Sequence, residues 1–92
     1  MTMKGLYNKY IVTKTSGKPI PPEAEFLVLR QDAGQYVDAC RAGALAFADT
    51  VARDNPRLAK DIYEWLLRLG GDGWQFVTAR LERLIAEHGL ER

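Results

Sequence analysis

From about residue 32 onward, apolar residues recur at steps of three and four, the helical period, and three stripes can be traced. Tyr36, Cys40, Ala44, Phe47 and Val51 line one face of a first helix, with Asp38, Arg41 and Asp49 on the other. Leu58, Ile62, Trp65, Leu66 and Leu69 form the second stripe, flanked by Arg57, Lys60, Asp61, Glu64 and Arg68. Trp74, Val77, Leu81, Leu84 and Ile85 form the third, with Arg80, Glu82, Arg83 and Glu87 toward the polar side.

The punctuation between stripes has a mechanism. Asp32 is a candidate N-cap for the first helix, with Gly34 in its first turn. Asn55-Pro56 is the sharpest boundary: Asn caps, and Pro suits the first helical position because its missing N–H would be unpaired there anyway. Gly70-Gly71-Asp72-Gly73 should stop the second helix, the third should begin near Trp74, and Gly89 should end it. The run from Ala42 to Ala48, ends included, holds four alanines and one glycine, small residues that let another backbone come close.

Residues 1–31 carry a different signal. Tyr10-Ile11-Val12-Thr13-Lys14 has high strand preference, Thr15-Ser16-Gly17-Lys18 suits a turn, and Phe26-Leu27-Val28-Leu29 is a short apolar run. Pro19-Ile20-Pro21-Pro22 should run extended, since proline cannot donate to a ladder. The pattern predicts a β-hairpin, too small to stand alone, packed on a three-helix unit. The expected fold class is α+β, one domain of 1–92 with a hairpin block (1–31) and a helical block (32–92).

Length limits what such a fold can do. A chain of 92 residues buries roughly 60 to 70% of the surface its unfolded form exposes, enough for one modest core. The hydrophobic share of 47% argues against intrinsic disorder. No apolar run approaches the ~20 residues of a membrane span, and 1–14 lacks the apolar stretch of a signal peptide, so no membrane partner is expected. One Cys excludes an internal disulfide and suits a cytoplasmic protein.

Charge changes the picture only in its distribution. The whole chain is +1, but residues 1–31 hold five bases and two acids while 32–92 hold eight bases and ten acids. Lys4, Lys9, Lys14 and Lys18, interleaved with Tyr7 and Tyr10, could grip a nucleic-acid backbone; equally, such lysines keep an edge strand soluble.

Catalytic chemistry finds little material. His88 continues the third stripe in the last turn, where its charged form complements the helix dipole. Cys40 reads as a small core hydrophobe. The glycine turn lacks the Lys and Ser/Thr of a phosphate-binding loop. Acidic pairs such as Asp49 with Asp54 and Asp61 with Glu64 have Arg53, Arg57 and Lys60 nearby, as helix-surface ion pairs do. No enzyme activity, cofactor or metal is expected. The two tryptophans, Trp65 and Trp74, fit the core, with a partner-facing role as the competing reading.

The segment Lys9-Tyr10-Ile11-Val12, Lys14-Thr15-Ser16-Gly17-Lys18-Pro19, then Ala24-Glu25-Phe26-Leu27-Val28-Leu29-Arg30-Gln31-Asp32 resembles a family of small proteins carried by phages and prophages. That family shows KYxVxKxDGxP followed by A-x-Y/F-F-V-L-R-x-D, an Ala-rich helix and an Asn-Pro. The resemblance covers roughly 1–62. The chain departs from the pattern at Ser16, where Asp is usual, and at Leu27, where Phe is; the Trp74 helix has no counterpart in it. The resemblance implies a mobile-element context and no particular chemistry.

These readings lead to one expectation: a non-enzymatic accessory protein that acts in a bacterial cytoplasm by binding and blocking a host protein, such as a defence complex. Tyr7, Lys9, Tyr10, Lys14, Lys18, Phe26, Val28 and Arg30 would form the binding surface. The alternatives are a nucleic-acid binder built on the basic hairpin and a small-ligand-binding homodimer paired through it.

Overall fold

The structure, a computed structural model, describes residues 10–91. Its regular elements are three helices, α1 (Val37–Val51), α2 (Pro56–Gly70) and α3 (Val77–His88), with a 3₁₀ turn, Gly71–Trp74, between the last two. No described residue lies in a β-strand. Among the described residues the fold is therefore all-α, and the expected α+β class with its N-terminal hairpin is overturned.

The prolines explain why. The predicted turn does form: the Gly17 N–H donates to the Lys14 carbonyl at 3.0 Å, and Gly17 takes φ 77°. The chain beyond it, however, runs into Pro19, Pro21 and Pro22, three residues with no N–H to offer a ladder. A second turn, closed by the Ala24 N–H on the Pro21 carbonyl at 3.0 Å, then redirects the backbone before the apolar run begins. No ladder hydrogen bond therefore joins Phe26–Leu29 to Ile11–Lys14. Residues 10–36 form an irregular arm of turns and bends instead.

α2 is central, packing against α1 on one side and α3 on the other. Asn55 caps it as predicted, its side chain accepting from the Leu58 N–H at 3.1 Å with Pro56 at the first position. α3 ends as predicted at Gly89, in the left-handed region (φ 61°, ψ 34°), and the Leu90 N–H turns back onto the Ile85 carbonyl. α1 starts later than Asp32 suggests. Its N-terminal flank is Tyr36, which makes no side-chain cap. Asp32 faces Arg30 instead.

The core is small: Ala48 of α1, Ala59, Tyr63 and Leu66 of α2, and Val77, Leu81 and Leu84 of α3. Trp74, Ile85 and Leu90 pack against it, so the third stripe stands as read, except that α3 itself begins at Val77. The other two are rotated. On α1, Tyr36 and Phe47 are exposed while Arg41 and Ala48 are buried. On α2, Leu58 and Trp65 face outward, and Ala59 and Tyr63 take the inner positions. An Ala-rich helix buries its small residues because they let neighbouring elements approach, which leaves the larger Phe47 outside.

Among the described residues, no helix is long and apolar enough to cross a membrane.

Candidate functional site

Side-chain hydrogen bonds between the arm and the bundle meet at Gln31. Gln31, 7% exposed, donates its side-chain Nε2 to the carbonyls of Cys40 (2.9 Å) and Leu29 (3.2 Å). Arg41 reaches back, its Nε donating to the Gln31 carbonyl at 2.9 Å. This bond explains a buried arginine on a face that the pattern assigns to solvent: a buried charge is tolerated when it satisfies a buried acceptor. Beside the clamp, Leu29 lies over Gly43, and a Cβ there would come within 2.8 Å of Leu29 Cδ1. The small residues of α1 thus admit the arm where a sheet was expected.

Upstream of the clamp the arm is uncovered. Phe26 is 52% exposed and Leu27 69%; Val28 and Leu29 are also exposed, and Ile11 reaches 96%. Among the described residues, the backbone N–H and C=O groups of Glu25–Val28 make no hydrogen bond within the chain. The run thus presents apolar side chains and open backbone groups together.

The residues expected to bind fall into separate groups. Phe26 and Val28 lie together on this run, with Arg30 after them. Arg30 is held by Asp32 through two contacts, Nε to Oδ1 at 2.7 Å and Nη2 to Oδ2 at 3.2 Å, both side chains exposed. The hydrogen bond from Arg30 holds the Asp32 carboxyl below the usual range, and the same bond raises Arg30. Lys14 and Lys18 are exposed on either side of the first turn, and Tyr10 is close enough to Arg30 to act on it electrostatically. Tyr7 and Lys9, with Lys4, lie outside the described residues.

A second feature was not legible in the sequence. Asp49 of α1, Tyr63 of α2 and Arg80 of α3 meet: the Tyr63 O–H donates to Asp49 Oδ1 at 2.5 Å, and Arg80 Nε approaches the same oxygen at 3.3 Å. Burial, then the bond to Asp49, pushes the Tyr63 phenol up to about 12. Arg80 also lies over the Phe76 ring, 5.5 Å from its centre. Arg83 and Glu87 complete the wall of a cleft of about 330 Å³ here. Two cations face two carboxylates in it, so it offers no net charge to a ligand; its polar groups serve to tie the three helices. The local pattern paired Asp49 with neighbouring arginines, whereas its cation comes from α3, about 30 positions away. Lys60–Glu64 at 3.1 Å is the helix-surface pair of the kind expected.

Cys40, read as a core hydrophobe, is only half-buried and lies outside the core cluster. His88 stands in the last turn of α3 but is exposed, outside the apolar stripe. Among the described residues, no three His, Cys, Asp or Glu side chains converge as a metal site would need. No protein-family model, curated protein or solved structure matches the chain.

Proposed function

We propose that the protein is a non-enzymatic binding module whose arm, residues 24–31, engages a partner protein. The observation that carries this is the union of two properties within the segment: N–H and C=O groups of residues 25–28 that make no hydrogen bond within the chain, and exposed Phe26, Leu27 and Val28. An extended peptide with these properties can add to an exposed sheet edge, its backbone supplying affinity and alternate side chains supplying specificity. The clamp at Gln31 supports the reading, because fixing one end of the segment lowers the ordering cost of binding. The likeness of residues 9–32 to phage-carried proteins supports a bacterial host protein as the partner, blocked by occupation of its surface.

The test is capture from bacterial lysate with the wild type and with Phe26→Asp, followed by amide hydrogen exchange on the purified complex. The expected outcome is a stoichiometric protein partner lost in Phe26→Asp, with slowed exchange at residues 25–30 in the complex. A partner retained undiminished by Phe26→Asp, or exchange at 25–30 unchanged by binding, would remove the arm from the interface.

A further inference from the structure

α2 is apolar on two faces. One is the buried set Ala59, Tyr63 and Leu66. The other is Leu58, Ile62, Trp65 and Leu69, about 100° around the helix: Leu58 and Trp65 are each 38% exposed, while Ile62, whose inner side packs against the core, and Leu69 are half-buried. Their spacing of four, three and four is the seam spacing of a coiled coil. It also reads the same in both directions, so the stripe can meet a copy of itself running the opposite way, Leu58 against Leu69 and Ile62 against Trp65.

The charges beside the stripe favour that orientation. Asp61 and Arg68, two turns apart, flank one edge. Both are exposed, and neither makes an ion pair among the described residues, whereas Lys60 and Glu64 on the far side are already paired with each other. In an antiparallel pair the same edge of each helix faces its mate, which sets Asp61 of one copy beside Arg68 of the other, twice. A parallel pair would set Asp61 beside Leu66, a residue buried in the core, and leave both charges without a counter-charge.

We infer that the outer stripe of α2 is a homodimer interface, with two copies packed antiparallel about a two-fold axis between Ile62 and Trp65. The contact is isologous and closed. A single helix face of this length falls short of the ~1,200 Å² of a stable interface, so the dimer is weak and concentration-dependent. It uses neither Phe26 nor the arm, and so stands or falls independently of the proposed function.

Sedimentation equilibrium on the full chain, from about 10 µM to about 1 mM, tests it. The wild type should pass from monomer toward dimer across that range. Trp65→Glu should abolish the dimer while the far-ultraviolet helical signal is kept. Asp61→Arg alone and Arg68→Asp alone should each weaken association about tenfold, because two attractions become two repulsions. The double exchange, Asp61→Arg with Arg68→Asp, should restore it, and Phe26→Asp should leave it unchanged. A wild-type monomer throughout, a dimer indifferent to the charge reversals, a double exchange that fails to restore association, or a dimer lost in Phe26→Asp would each overturn the inference.

Discussion

Tyr63 shows how much one residue can coordinate. Its ring lies in the core and its O–H reaches Asp49, which also holds Arg80, so a single phenol stands where α1, α2 and α3 meet. Tyr63→Phe keeps the ring and removes the donor. Asp49 still has Arg80, so the cost should be about 1 kcal/mol in urea denaturation at neutral pH. The pH dependence has a definite sign. With its folded value pushed up to about 12, against about 10 for a free phenol, Tyr63 contributes fully below about pH 10. That contribution falls away as pH rises through about 12. Ultraviolet phenolate titration of the folded protein should show a step near pH 12 that Tyr63→Phe removes.

Among the elements, the α2–α3 junction depends most on a missing side chain. Gly70 is helical (φ −82°, ψ −19°), so its backbone accepts any residue. An added Cβ would instead fall against Cβ and Cγ of Trp74. Those atoms sit at the root of the indole and cannot swing aside, so Gly70→Ala should displace Trp74 from the core it packs against. We expect a loss of about 1–3 kcal/mol and a shift in tryptophan fluorescence. The sequence showed the elements well where a cap or a stop fixes them, as at Asn55-Pro56 and Gly89. It misled where a long-range contact decides which side is inside. Arg41 is buried because Gln31 supplies an acceptor, and Phe47 is exposed because Ala48 packs more closely; neither fact is visible in a periodicity. The hairpin failed for a local reason, since Pro19, Pro21 and Pro22 outweigh the strand preference around them. The apolar arm was legible as residues and misread as structure, while the Asp49–Tyr63–Arg80 junction needed the fold itself.

At the scale of the molecule, the arm and the bundle are unequal in their dependence. Among the described residues, every buried apolar side chain belongs to the three helices. The radius of gyration, 15.7 Å, exceeds the about 12 Å of a compact chain of this size because the arm lies outside. Removing residues 1–24 should therefore keep the helical circular dichroism and move the denaturation free energy by less than about 1 kcal/mol. A large loss would show that the arm is part of the core.

The clamp at Gln31 also has a kinetic meaning. It holds one end of a 21-residue segment, 10–30, to a bundle whose long dimension with the arm in place is 46 Å. Fully extended from that pivot, the segment would reach about 70 Å. Released from its two turns, a tether of that length would sweep a volume far larger than the bundle occupies and would meet a target before the bundle does. The fixed end then draws the two bodies together, so the gain from the clamp lies in the rate of encounter as much as in the strength of the finished complex.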